Sequence, residues 1–111
     1  MRVLITGGAG YVGSTLAPLL LGAGHKVRVL DRLAYGGESL LGVWAHPYFE
    51  FIRGDIRDRE KLREAVVDCE AVVHLAAIVG DPACAREPET ARAVNLESSL
   101  ELIDQCRLLL V

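Results

Sequence analysis

The 111-residue sequence predicts an open, doubly wound α/β sheet of about four parallel strands, and three observations carry that reading. Short apolar runs alternate with longer segments of helical period. The runs Val3-Leu4-Ile5 and Ala71-Val72-Val73 are apolar on consecutive residues, as in parallel strands covered on both faces. Gly7-Gly8-Ala9-Gly10-Tyr11-Val12-Gly13 stands directly between the first such run and the first helical segment. The implied order is β-α-β-β-α-β-α.

The elements follow in turn. Val3 to Thr6 is the first strand. Tyr11 to Leu21 is a helix ended by Gly22 and Gly24, with a kink expected at Pro18, whose missing N–H costs about 3 kcal/mol inside a helix. Val27 to Leu30 is the second strand, with Asp31 at its end. Leu33 to Pro47 carries Gly36, Gly37 and Gly42, matches neither period, and is expected to be irregular. Phe49 to Ile52 is the third strand. Asp58 caps a helix from Arg59 to Val67 whose apolar face is Leu62, Ala65 and Val66. Ala71 to Leu75 is the fourth strand. Pro88 opens a last helix, to Arg107, with Ala91, Val94, Ser98, Leu102 and Cys106 on one stripe and Glu97, Glu101 and Asp104 elsewhere. Leu108 to Val111 is either an altered stub of a fifth strand or a helix tail.

Composition excludes several classes. Apolar residues are 51% and charged residues 24%, with mean hydropathy +0.30, so residues 1–111 form one folded domain rather than a disordered tail. A net charge of -3 and the lack of a basic block argue against nucleic acid as a partner. The run Leu16 to Leu21 falls far short of the roughly 20 residues that span a bilayer, so no membrane is expected. Thr6 to Gly10 breaks the opening apolar stretch too early for a secretory leader, which points to the cytoplasm. Cys69, Cys84 and Cys106 share no Cys-x-x-Cys spacing and read as reduced thiols, with no metal site.

The glycine loop is where chemistry enters. Gly7-x-x-Gly10-x-x-Gly13 after a buried strand and before a helix is the setting of a Rossmann-type dinucleotide site. Gly7 takes the positive φ of a tight turn, Gly10 lets the backbone approach a pyrophosphate, and Gly13 lets helix and strand pack closely. The first amides of the helix, at Tyr11, Val12 and Gly13, then face the phosphates. Asp31 stands 18 residues after Gly13, near the distance at which a carboxylate meets the adenosine ribose. It would accept from the 2'-hydroxyl and repel a 2'-phosphate, which favours NAD over NADP. Arg32 follows, able to pair with a 2'-phosphate or to stack on adenine.

Thr6 to Gly13, Asp31, Gly54-Asp55-Ile56-Arg57-Asp58, His74-Leu75-Ala76-Ala77 and Val94-Asn95 stand in order along the chain. With these motifs the sequence resembles the N-terminal half of an extended short-chain dehydrogenase/reductase, of the NAD-dependent epimerase/dehydratase family that acts on nucleotide sugars. The likeness runs from Arg2 to Arg107. It implies that Asp55 hydrogen-bonds the adenine amino group with Ile56 beside it. It implies that Leu75, Ala76, Ala77 and Ile78 lie along the cofactor toward its nicotinamide ribose, and that Asn95 is the helix asparagine set near the site. His74, in an apolar strand, reads as a satisfied core histidine rather than a base.

The sequence departs from the family in two places. Val79 stands where UDP-galactose epimerases resemble one another in carrying a basic residue, and the loop Gly80 to Arg86 would lie near the sugar-nucleotide side. The family's Ser or Thr on a fifth strand and its Tyr-x-x-x-Lys helix have no counterpart in these residues, since Tyr11, Tyr35 and Tyr48 are followed four positions on by Thr15, Ser39 and Ile52. No catalytic residue is assigned. The expected sheet order is 3-2-1-4, with NAD at the carboxyl ends of the strands where the order reverses. The expected function is the coenzyme half of an epimerase, dehydratase or dehydrogenase of a nucleotide sugar; the rival is a non-enzymatic nucleotide-binding sensor or assembly module. An unpaired edge at the fourth strand, and the last helix, which the resemblance places in a dimer interface, predict a homodimer or higher self-association.

Overall fold

β1 (Arg2–Thr6) is apolar on successive positions because it is packed from both sides. Val3 and Ile5 sit with Ala17, Leu21, Val27 and Val29 in one layer, whereas Leu4 sits with Leu30, Leu62, Ala65 and Val66 in the other. A strand covered on both faces has no solvent side for polar residues. The computed structural model describes residues 1–34, 36–76 and 88–109. Among these, β1 is followed by α1 (Tyr11–Gly22), β2 (Lys26–Asp31), a 3₁₀ turn (Glu38–Leu40), β3 (Phe49–Arg53), α2 (Arg59–Val66) and β4 (Ala71–His74). Then come α3 (Pro88–Arg92), a π turn (Ala93–Glu97) and α4 (Ser98–Leu109).

The strands are parallel in the order β3-β2-β1-β4, as expected. Register sets Thr6 beside Leu30 and His74, and Asp31 beside Arg53, so the carboxyl ends of all four strands lie level. α1 and the β2–β3 connection cover one face; α2 and α4 cover the other. Leu4, Leu30 and Leu62 are fully buried, each worth about 1.5–3 kcal/mol in apolar area removed from water.

Local chemistry explains the boundaries. Asp58 caps α2 by accepting from the N–H groups of Glu60 and Lys61 at 3.0 and 3.3 Å. At the other end of that helix the buried Arg28 guanidinium donates to the carbonyls of Ala65 and Val67 at 2.8 and 2.7 Å, with Glu50 3.1 Å away. A charge inside the sheet is tolerated there because it meets both a counter-charge and orphan helix carbonyls. α1 runs through Pro18 as one helix, with the proline on its exposed side.

Three expectations are corrected. The Leu33–Pro47 connection is not irregular throughout: it holds the 3₁₀ turn, buries Leu40 and Val43 in the core, and stacks Trp44 against Phe49 and Phe51 at 5.8 and 5.2 Å. The single last helix is interrupted by the π turn, one of whose residues makes the extra step between Val94 and Ser98. Glu101, expected away from the apolar stripe, is partly covered and meets Arg59 at 3.5 Å, while Ser98, Leu102 and Gln105 are buried. Leu108 and Leu109 continue α4, so the helix tail is the observed alternative as far as residue 109. Cys69 and Cys106 are free and partly buried, and Cys84 lies outside the described residues. No described helix is long and apolar enough to cross a membrane.

Candidate functional site

Between β1 and α1 the chain turns so tightly that side chains are excluded. Gly7 has φ +71°, and a Cβ on it would lie 2.8 Å from both the Cα and N of Ala76. Its N–H donates to the Leu30 carbonyl at 2.8 Å, which ties the loop to β2. A Cβ on Gly13 would overlap the Gly8 Cα at 2.5 Å, so the glycine lets α1 start against the loop itself rather than against a strand, as expected from sequence. Gly8 serves a role the sequence left unassigned: a Cβ there would strike the Val29 side chain at 2.6 Å. A Cβ on Gly10 would meet only the Gly7 carbonyl, at 3.2 Å. Gly10 is the N-cap of α1 with no side-chain cap hydrogen bond and no acidic residue in the first turn. The positive end of the helix is thus left to whatever anion approaches.

Asp31 is held by backbone on both sides. Its Oδ2 accepts from Ala9 N–H at 2.9 Å and its Oδ1 from Leu33 N–H at 2.7 Å. Leu33 adopts φ +60°, a left-handed conformation that costs a non-glycine residue about 1–2 kcal/mol. That bond to Asp31, and one from Gly36 N–H to the Leu33 carbonyl at 3.1 Å, hold it there. Each Asp31 oxygen keeps a second lone pair for a further donor. Ser39 Oγ donates to the Ala9 carbonyl at 2.7 Å, so the Ala9 peptide is clamped at both its N–H and its C=O.

Asp55, at the end of β3, is clasped by Arg57: Oδ1 accepts from the Arg57 N–H and Nε at 2.9 and 3.0 Å, and Oδ2 from Nη2 at 2.5 Å. Arg32 Nη1 stands 3.9 Å from Oδ2. The Arg57 side-chain hydrogen bonds hold the Asp55 carboxyl below the usual carboxylate range against the opposing effect of burial, helped by the Arg57 N–H and by the charges of Arg57 and Arg32.

These pieces meet in one crevice at the carboxyl ends of the four strands. Gly7, Ala9 and Gly10 line it from the loop, Leu30, Asp31, Arg32, Ala34 and Gly36 from β2 and beyond, Gly54, Asp55 and Ile56 after β3, and Leu75 and Ala76 after β4. Eight sequence-predicted residues are brought together: Gly7, Gly10, Asp31, Arg32, Asp55, Ile56, Leu75 and Ala76. Gly13 lies buried behind the loop, and Tyr11 and Val12 are exposed at the start of α1. Asn95 lies apart from the crevice lining, exposed in the π turn. Ala77, Ile78, Val79 and the Gly80–Arg86 loop lie outside the described residues.

Sequence reasoning missed Thr6, Ser39 and Arg57, each of which acts by holding another residue. His74 is satisfied, as expected, by Thr6 Oγ1 at 2.6 Å and Ser99 Oγ at 2.9 Å, and burial pushes its pKa below the usual histidine value. The described lining contains no tyrosine, lysine or histidine. Chemically the crevice offers a helix start for phosphate, a fixed carboxylate for hydroxyls, and apolar walls at Leu30, Ile56 and Leu75.

Comparison with known proteins agrees with this geometry. The UDP-glucose 4-epimerase of Mycolicibacterium smegmatis is 36% identical over 110 residues, covering 97% of this chain and 35% of that protein. A 3 beta-hydroxysteroid dehydrogenase/Delta 5-->4-isomerase of Mycobacterium tuberculosis is 46% identical over 78 residues, covering 70% of this chain and 20% of that one. The crystal structure of Thermus thermophilus UDP-glucose 4-epimerase in complex with NAD superposes with a TM-score of 0.83 at 36% identity, over 97% of this chain and 34% of that one. The chain thus spans about a third of the epimerases' length and less of the steroid enzyme's. The model of the NAD dependent epimerase/dehydratase family matches residues 3–110. With the family pattern running through nearly every residue, the chain belongs to the NAD dependent epimerase/dehydratase family.

Proposed function

We propose that this chain binds NAD in preference to NADP and serves as the coenzyme-binding part of a cytoplasmic protein that acts on a nucleotide sugar. The observation that carries the preference is the Asp31 carboxylate, which lines the crevice and is oriented by two backbone N–H groups. Its remaining lone pairs accept from the ribose hydroxyls, and its charge repels a 2'-phosphate. Arg32, the cation that would offset that repulsion, is drawn toward Asp55.

NAD, when bound, supplies the hydride acceptor and donor. The first amides of α1, at Tyr11, Val12 and Gly13, receive the pyrophosphate beside Gly10. Asp55 and Ile56 hold the adenine end. Leu75 and Ala76, followed in sequence by Ala77 and Ile78, back the nicotinamide ribose. A nucleotide sugar is favoured over a steroid because enzymes named for UDP- and dTDP-sugars stand among both the similar sequences and the similar solved structures. Calorimetry should give NADH at least about tenfold tighter than NADPH, with Asp31→Ala closing most of that gap. Equal affinities in the wild type would refute the role of Asp31.

Self-association belongs to the same proposal. β4 pairs only with β1 among the described strands, leaving an edge. Leu96 in the π turn and Leu100 and Ile103 in α4 are 47, 55 and 49% exposed, four and three residues apart. A homodimer is expected by sedimentation, shifted to monomer by Leu100→Glu. A clean 12.0 kDa monomer at concentrations on the order of tens of micromolar would contradict it.

A further inference from the structure

The Thr6 hydroxyl is fully buried between the last residues of β1 and β4, and three groups compete for it. The Leu75 N–H, shared with the Thr6 carbonyl at 3.0 Å, points at Oγ1 from 3.1 Å, and the Ala76 N–H points at it from 3.2 Å. Two donors on one hydroxyl oxygen leave its single proton as the only group able to bridge to His74 Nδ1, 2.6 Å away. Nδ1 is therefore the acceptor, and the neutral ring carries its proton on Nε2. Nε2 lies 2.9 Å from Ser99 Oγ, which passes its own proton to the Asn95 carbonyl at 3.0 Å. Every donor in this line points the same way, from the amides of Leu75 and Ala76 to the π turn.

We infer that His74 is a positioning residue of the cofactor crevice, a neutral imidazole strut that fixes the Leu75–Ala76 backbone by tying it through Thr6 and Ser99 to the Asn95 turn. The inference rests on the reading that NAD occupies this crevice. Leu75 and Ala76 line it, and Ala76 packs so closely on Gly7 that a Cβ there would reach its backbone at 2.8 Å. A small displacement of Ala76 thus changes the gap between the glycine loop and β4. β4 ends at His74 and, among the described strands, has a neighbour on one side only, so beyond that residue the Thr6 oxygens hold the strand end.

Protonation undoes the strut. A second ring proton on Nδ1 would face the Thr6 oxygen, force the hydroxyl proton away, and displace an amide from Oγ1. β1 and the last helix face the imidazole with the hydroxyls of Thr6 and Ser99. The nearby charges of that helical run, Glu97 and Glu101, pair with Arg92 and Arg59, and among the described residues burial alone shifts the ring's titration, downward. No described charge rescues the protonated form.

Two measurements on the full chain test this. Nitrogen-15 NMR of the imidazole without cofactor should show the Nε2–H tautomer near pH 7 and a titration below the ordinary histidine range. Calorimetry with NAD should show affinity falling on acidification, by about twofold where the pH equals the ring's pKa and by nearly tenfold for each further pH unit below it. His74→Phe, which keeps the volume and loses both bonds, should bind about tenfold more weakly at the higher pH and show a flat pH profile. His74→Asn, which keeps an acceptor for Thr6, should recover part of the affinity with the profile still flat. An Nδ1–H tautomer, a pH-independent wild type, or a His74→Phe profile that follows the wild type would overturn the positioning role and leave NAD binding intact. Failure of the wild type to bind NAD at any pH would overturn the proposed function and the positioning role with it.

Discussion

A Gly7→Val chain should melt about 10 °C or more below the wild type and bind no NADH. Two costs add at one position. A β-branched residue at φ +71° is in left-handed backbone, at about 1–2 kcal/mol, and its Cβ falls 2.8 Å from the Ala76 backbone, which cannot rotate away as a side chain would. Relieving such overlap typically costs a further 1–3 kcal/mol or so. The sum is a sizeable part of a domain's roughly 5–15 kcal/mol, and each kcal/mol moves the melting point of a domain this size by about 4–8 °C. β4 would have to retreat from the loop, opening the crevice. Gly22→Ala is the paired control, since a Cβ at Gly22 meets nothing within 4 Å and better helix propensity should raise stability by up to about 1 kcal/mol. Circular-dichroism melts of the two variants check this, and equal melting points would show that the Gly7 turn is not under the constraint described.

What was legible in the sequence was what backbone and local patterning encode. Apolar residues on consecutive positions in β1 and β4 announced strands covered on both faces, and the two packed layers around Leu4 and Ile5 are the reason. The Asp58 cap and the glycine loop were readable because each is a local requirement of the chain. Long-range hydrogen bonds left no such trace. Ser39 reaches back 30 residues to the Ala9 carbonyl, and Thr6 reaches forward to Leu75 and Ala76, yet an isolated hydroxyl residue looks like any other. Leu40 and Val43 enter the core from a segment too short to display a period. The π turn needs only one extra residue and has no composition of its own.

The second large effect is an absence of turnover: these 111 residues, loaded with NAD, should convert no nucleotide sugar. Removing a sugar hydroxyl proton in step with hydride transfer needs a positioned acid/base, typically worth about 10²- to 10⁴-fold. None of the three tyrosines has a lysine four residues on, and the described crevice lining holds no tyrosine, lysine or histidine. His74 has both ring nitrogens engaged by hydroxyls. Substrate positioning, which contributes roughly 7 to 11 kcal/mol toward lowering a barrier, needs groups opposite the cofactor that these elements do not supply. The assay incubates the protein with NAD and a panel of UDP-, GDP- and dTDP-sugars, following the reduced-nicotinamide absorbance and the products by chromatography. Turnover that Gly10→Val abolishes would place a complete catalytic apparatus within these residues. Cofactor binding without turnover is also what a sensor or assembly module would give, and such a module, unlike an enzyme half, would gain no activity when supplied with a substrate-binding part of a relative.

The central claim is that NAD binds at the carboxyl ends of the strands, on the glycine loop and beside Asp31. The most direct measurement is an NAD titration followed by amide NMR of the nitrogen-15-labelled chain. The largest shifts should fall on Gly7 to Gly13, on Asp31 to Leu33, and on Leu75 and Ala76, with the α2 amides from Arg59 to Val66 nearly still. Shifts confined to other surfaces, or none at concentrations on the order of a millimolar, would contradict the account.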